Sequence, residues 1–374
     1  MARLIQVLRR HSGRAVLCIA GLATAAVLGQ PARPGPADPR AIAEAVIEGC
    51  RAREQAGAGV EFTVLAERFV GAWKLGLATD GDPAALSKAI ETFADGRQNG
   101  ATRTRLVERY RLTPQEWEVE AQVRHWGGSD RLFPADVSRA PDRVGDLHMK
   151  RLDRPAYRID FHRGPTPSFP IGRVLAQEVD WQQESSPCAA YLGLYVRRVG
   201  ALRRELEAML QGGGDVAAEL TEHDGREAVL LTLTGETAPG FVRQLRCGFV
   251  RLGGYAPYLA EVTGISEEGG RQMVVRVFAL WEGYVEAPDG TWVPSEYRCS
   301  SFSTGASGLP ELDSAEAATL VEGTLRATRL PLSDEELAKW FPMGTIVAIL
   351  PDVRALLPTS VVDAFERSGR NMGT

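Results

Sequence analysis

Chemically specialised residues are scarce in this chain: 374 amino acids include only five cysteines and five histidines. His125, His148, His162 and His223 are scattered, and none lies three to five residues from a cysteine or another histidine, so the ligand spacing of a zinc centre is missing. No Gly-x-Ser-x-Gly elbow of an α/β-type hydrolase occurs, and Gly305-Ala306-Ser307-Gly308 has the wrong spacing for one. Gly212-Gly213-Gly214 lacks the following lysine of a phosphate loop. The expectation is therefore no metal, no cofactor and no recognisable catalytic set. A positive charge excess is absent too, with 43 basic against 48 acidic residues. This disfavours a nucleic-acid partner.

One long apolar run stands out, Ala15 to Leu28, preceded by Arg3, Arg9, Arg10 and Arg14 and closed by Pro31, Pro34 and Pro36. Basic residues before a run too short to span a bilayer are the pattern of an export signal. Small residues place cleavage after Ala25 or after Gly29, the second preferred, so residues 1–29 are expected to be a signal and 30–37 a proline-rich linker. An uncleaved anchor is the alternative; otherwise the protein is not an integral membrane protein. The expected location is periplasmic or secreted. Without its four arginines the chain carries 39 basic and 48 acidic groups, a charge near −9.

Four cysteines follow the signal: Cys50, Cys188, Cys247 and Cys299. An oxidising compartment permits two disulfides in three pairings. Cys247 and Cys299, both in strand-like segments, form a candidate bridge; buried free thiols are the other reading.

Asp38-Pro39 starts a helix with Ile42, Val46, Ile47 and Cys50 on one face, and Val60 to Leu77 reads as extended. Asp82-Pro83 signals a second helix. Glu116 to Arg124 alternates strictly, with Trp117, Val119, Ala121 and Val123 on one side, and predicts a strand. Thr113-Pro114-Gln115-Glu116 opposes it with the form of a capping box. Tyr157 to His162 is a further short strand, and Pro165, Pro167 and Pro170 mark a loop between two portions, 38–165 and 166–350. These portions are expected to join in one domain or stand as two, followed by a tail over 351–374.

The apolar spacing from Pro187 to Leu210 predicts one long helix, with Arg197, Arg198, Arg203 and Arg204 on its wet side. Val216 to Phe302 reads as an antiparallel meander turning at Asp224-Gly225, Gly269-Gly270 and Asp289-Gly290. Met273 to Trp281 is apolar on both sides except at Arg276, the pattern of a central strand covered on both faces. A last long strand is expected from Ala318 to Arg329, then a capping box at Ser333 before a short helix. Trp281-Glu282 and Trp292 to Glu296 place aromatic and acidic groups close together, as a sugar site would; cross-strand packing is the plainer reading.

The closing Phe341-Pro342-x-Gly344-Thr345-x-Val347, together with an exported start, an opening helix and long antiparallel strands, resembles the LolA-like family of periplasmic lipoprotein carriers and their secreted relatives. Ala348 and Ile349 stand where that ending usually continues with an aspartate. The resemblance implies an α+β fold: a strongly curved antiparallel sheet, or half barrel, covered by several helices, with acyl chains bound in an apolar cavity beneath them. Val229, Leu231, Leu233, Val275, Val277 and Trp281 are the cavity residues expected on that basis, and a lipid or lipoprotein is the expected partner. Two readings compete with a non-enzymatic carrier or sensor: an interaction module of the cell envelope and a glycan-active enzyme.

Overall fold

A computed structural model describes residues 38–55, 59–70, 102–113, 115–126, 147–163, 171–176, 187–196, 200–238, 241–268, 271–304, 310–328, 331–341, 345–349 and 354–368. The expected signal, the Asp82-Pro83 helix and the Gly269-Gly270 turn lie outside them. The chain opens with helix α1 (Pro39–Gln55), then strands β1 (Val60–Val70), β2 (Thr102–Leu112), β3 (Trp117–Trp126), β4 (Leu147–Asp153), β5 (Tyr157–Arg163) and β6 (Ile171–Ala176). Next come α2 (Pro187–Tyr191), the two-residue strands β7 (Tyr195–Val196) and β8 (Gly200–Ala201), and α3 (Leu202–Gln211). The meander follows as β9 (Asp215–His223), β10 (Arg226–Ala238), β11 (Phe241–Arg251), β12 (Tyr255–Glu268) and β13 (Arg271–Glu282). After β14 (Val285–Glu286) and β15 (Trp292–Val293) run β16 (Glu296–Thr304), β17 (Pro310–Leu320), β18 (Arg326–Ala327), α4 (Asp334–Ala338), β19 (Ile346–Ile349) and α5 (Thr359–Ser368).

One fifteen-stranded sheet holds the molecule together, in the order β19-β6-β5-β4-β3-β2-β1-β17-β16-β13-β12-β11-β10-β9, with β18 paired to β1. It is open: β9 and β19 are its two edges. Every pairing is antiparallel except β19 on β6. The fold is thus dominated by an antiparallel sheet with few helices, as the sequence suggests, and the Pro-rich segment divides the strands without dividing the sheet.

The apolar side of the sheet changes along its width. Trp117, Val119 and Ala121 of β3 are buried in a large cluster that also contains α1, α2, α3 and the inward residues of β10 to β16. Glu118, on the opposite face of β3, pairs with Leu152, which pairs with Ile159, which pairs with Val174. Directly opposed residues share a face. Leu152, Ile159 and Val174 belong to a second cluster with Leu337, Trp340, Val361 and Phe365, so the second core lies on the other side of the sheet. The segment expected to be a tail therefore contributes α5, packed against α4.

Four local expectations need correction. The Pro187–Leu210 helix is broken into α2 and α3, although Leu192, Val196, Leu202, Leu206, Met209 and Leu210 are all buried. Gly193 turns the chain at φ +77°, where any Cβ would meet Pro257 Cγ at 2.4 Å. The strand expected over Ala318 to Arg329 lies earlier, at Pro310–Leu320, because pairing with both β1 and β16 outweighs its poor strand composition. The central strand β13 is fully covered on one face only: Val277, Ala279 and Trp281 are buried, whereas Val274, Arg276, Phe278 and Leu280 are only partly buried. Finally, Asp289-Gly290 joins β14 to β15 through a longer loop, with the Ala287 amide donating to the Thr291 carbonyl at 2.7 Å, while Asp224 and Gly225 turn tightly at φ 50° and 74°.

The rival signals at Thr113 to Glu116 are both genuine. Thr113 Oγ1 accepts from the Glu116 amide at 3.1 Å, as a cap does, but the chain then enters β3. The Glu116 carboxylate is used elsewhere, accepting from Arg154 Nε at 2.9 Å and from the Leu332 amide.

A charged cluster interrupts the large core. Arg68 reaches Glu108 Oε1 at 3.1 Å and Glu316 Oε1 at 3.1 Å, and Tyr110 donates to Glu108 at 2.8 Å. Both carboxylates are buried, and they hold the Arg68 guanidinium well above its usual range despite the opposing effect of burial. Removing one partner of a buried pair leaves an uncompensated charge. Arg68→Met is expected to cost about 3–5 kcal/mol in urea unfolding; a loss below about 1 kcal/mol, the range of an exposed pair, would contradict this.

Candidate functional site beneath the helices

The expected cavity residues fall on transverse rows of the covered face. Leu233 pairs with Val216 and Leu245, which leads to Val262 and Val277. Leu231 begins the row Cys247, Ala260, Ala279, Cys299. Val229 lies between Leu220 and Phe249. Val229, Leu231, Leu233, Val277 and Trp281 are buried in one cluster; Val275 stands half-buried at its margin.

Two different structures cover these rows. Over the centre, α2 inserts Tyr191 among Phe62, Tyr110 and Tyr297, with ring centroids 5.6 to 6.4 Å apart. Trp281 Nε1 donates to the Ala190 carbonyl at 3.0 Å and Tyr191 donates to the Pro294 carbonyl, so both aromatic heads are satisfied while buried. This part is a packed plug.

Over β9 to β12 the cover is α1 with α3. α1 packs on β9, β12 and α3, and α3 packs on β10. The helix spacing puts Ala43, Val46, Ile47 and Cys50 of α1 and Leu202, Leu206, Met209 and Leu210 of α3 against the sheet. Gly49 lets α1 approach closely, since a Cβ there would meet the Tyr255 ring at 2.4 Å. Polar contacts fasten the rim. Arg203 reaches Glu54 and Glu207, each at 2.8 Å; Arg51 reaches Glu207 at 2.8 Å; Arg40 donates to the Leu210 carbonyl at 3.1 Å. Arg203 and Glu54 are largely buried, so this pair is less screened than the exposed Arg51–Glu48 pair. The sequence shows Arg203 only as part of a wet face; its spacing of four from Glu207 was the available clue.

At the rim of this cover a void of about 10 Å³, room for one water, is lined by Cys50, Leu202, Tyr255 and Pro257 together with the charged Arg53, Glu54 and Arg203. At the sheet edge the row through Val229 emerges: Leu220 is 67% exposed. Nothing in the sequence distinguishes Leu220 from its buried neighbours, because its exposure follows from where the helices end.

The candidate Cys247–Cys299 bridge is not formed. Both are free buried thiols on one row, separated by Ala260 and Ala279. Three strand spacings amount to roughly 14 Å at about 4.8 Å each, and a disulfide needs roughly 4.4–6.8 Å between Cα atoms. Burial pushes the Cys50 thiol up to about 12 and raises Cys247 as well, so neither is a thiolate at neutral pH. Trp281 and Trp292 do not meet across a hairpin: Trp281 pairs with Tyr297, and Trp292 pairs with Glu286 and stacks under Arg226 at 4.7 Å. Among the described residues there is no group of three or more potential metal ligands, and no helix is long and apolar enough to cross a membrane. No protein-family model and no curated protein matches this chain.

The thiol geometry gives a direct expectation. A thiol reagent should leave Cys50, Cys247 and Cys299 unmodified in the folded protein and label all three in denaturant without reductant. A peptide linking Cys247 to Cys299 in a non-reducing digest would contradict the strand register.

Proposed function

We propose that this chain is an exported, non-enzymatic binding protein, similar in kind to the LolA-like carriers, that takes up an acyl chain or lipid beneath α1 and α3. In this reading the open sheet is a half barrel, α1 and α3 are its movable cover, and the packed arrangement is the empty, closed state. The observation that carries the reading is the contrast between the two covers. α2 is plugged into an aromatic cluster through its own chain position, whereas α1 and α3 lie on aliphatic rows and are fastened at the rim by ion pairs. The exposed Leu220 at the end of one such row supplies an entrance.

Energetics favour exchange of cover for ligand. Lifting α1 and α3 exposes Val46, Ile47, Leu202, Leu206, Met209 and Leu210, a cost of about 9–18 kcal/mol at about 1.5–3 kcal/mol per large side chain. An acyl chain returns about 0.8 kcal/mol per buried CH₂, so about 11–22 methylenes, the length of a long-chain fatty acid or more, repay the opening. A ligand much shorter than that should not bind.

The rim pairs supply the test. Arg203→Ala should lower the melting temperature by a few degrees and raise the uptake rate of a fluorescent long-chain fatty acid several-fold, with an eight-carbon analogue bound weakly or not at all. If the wild type and R203A both take up no long-chain probe, and native mass spectrometry of protein from its own envelope finds no lipid, the reading fails.

A further inference from the structure

At one edge of the open sheet lies β9, and among the described residues no strand pairs with its outer side. An edge strand presents a row of unpaired backbone groups, and proteins usually blunt it with shortness, lysine, proline or a bulge. The opposite edge, β19, is only four residues long. β9 has none of these devices: it is nine residues long, contains no Lys, Arg or Pro, and pairs with β10 without a register shift. Asp215, Ala217, Glu219, Leu220, Thr221 and Glu222 are all exposed.

The hairpin fixes which groups of β9 face outward. Asp224 and Gly225 form a two-residue turn with both φ positive, as in type I′, so His223 and Arg226 are a hydrogen-bonded pair. Such pairs alternate along the ladder, and Thr221, Glu219, Ala217 and Asp215 therefore direct their amides and carbonyls to β10. Val216, Ala218, Leu220 and Glu222 direct theirs away from the sheet. The side chains of Val216, Ala218 and Leu220 lie on the side covered by α1, where the first two are half-buried and Leu220 is 67% exposed.

We propose that β9 pairs with β9 of a second copy of this chain, antiparallel about a twofold axis through Ala218. A twofold axis normal to the sheet makes the pairing antiparallel and self-complementary, which leaves few registers. Centring on Ala217 sets Asp215 against Glu219, and centring on Glu219 sets that carboxylate against itself; like charges directly opposed are destabilising. Centring on Leu220 sets Glu222 against half-buried Ala218 and draws in the turn residue Asp224. Centring on Ala218 sets Val216 against Leu220 on either side of the axis, Ala217 against Glu219 and Asp215 against Thr221, with no like charges opposed.

In this register the outward amides and carbonyls of Val216, Ala218 and Leu220 are paired across the axis. Leu220 leaves water, and the row from Val229 to Leu220 continues through Val216 of the second copy to its Leu233. Glu219 stands diagonal to its own mate, roughly 7–8 Å away, a repulsion that salt at about 0.15 M screens. The pairing rests on the backbone and register of β9, not on acyl binding under α1 and α3. Because Leu220 also marks the proposed acyl entrance, a paired edge closes that entrance and uptake belongs to the monomer.

The test is sedimentation equilibrium of the full chain from about 1 to about 100 μM, at about 0.15 M salt. A monomer–dimer equilibrium is expected, and Leu220→Lys, at an exposed position that leaves the fold intact, should weaken it about tenfold or more. Engineered cysteines read the register. Directly opposed hydrogen-bonded residues stand about 5.5 Å apart at Cα, within the roughly 4.4–6.8 Å that a disulfide needs. Ala218→Cys should therefore oxidise to a dimer whose non-reducing digest links residue 218 to itself, whereas Ala217→Cys, diagonal to its mate at roughly 7–8 Å, should not. A monomer at every concentration, association unchanged in L220K, or a link through residue 217 formed as readily as through residue 218 would overturn the pairing. So would a monomer that instead binds a synthetic strand of alternating valine and lysine and loses it in L220K, which would assign the edge to a basic segment of another protein.

Discussion

The constraint on which this molecule depends is the two-residue period of β3. A strand that sends Trp117, Val119 and Ala121 to one side must send Glu118 and Glu120 to the other. An open sheet of this width cannot be covered on one face by a few short helices. The chain resolves this by changing the apolar side at β3–β4: α1, α2 and α3 cover one side of the meander half, and α4 with α5 cover the other side of β4 to β6. Glu118 and Glu120 stand at that changeover, which is why a polar cleft forms there.

Charge is handled differently at each depth. Inside the large core, Arg68 bridges two buried carboxylates, an arrangement that costs much if one member is lost and adds little as a pair. At the rim of α1 and α3, partly buried pairs such as Arg203–Glu54 tie helix to helix at the edge of the apolar interface. On the side of β4 and β5 opposite α4 and α5, Arg151–Asp160 at 2.7 Å and Arg158–Asp153 at 2.6 Å are directly opposed across strands, and both carboxylates are buried.

Much of the fold was legible because it is local. The Asp38-Pro39 start, the alternation of β3, the Asp224-Gly225 turn and the Ser333 capping box are each decided by a few neighbouring residues. What the sequence misassigned depends on distant contacts. Pro187 to Leu210 has an unbroken apolar spacing, and the turn at Gly193 packs against Pro257 and Trp281, far along the chain. Ser314 to Leu320 is poor in strand formers and is held extended by two flanking strands. Phe278 and Leu280 read as covered, and nothing nearby in sequence shows that they are buried only in part. For the site, the buried aliphatic rows were recoverable from alternation; the rim pairs between α1 and α3 were not, because they join elements more than 30 residues apart.

The proposed carrier function requires that α1 and α3 part from the sheet without unfolding it. Native-state hydrogen exchange measures this directly. If they do, amides of Pro39–Gln55 and Leu202–Gln211 exchange through a shared opening several kcal/mol below global unfolding, while those of β10 to β13 exchange only globally. Helix and strand amides exchanging together at the global free energy would contradict it, because the helices would then be an inseparable part of a solid core.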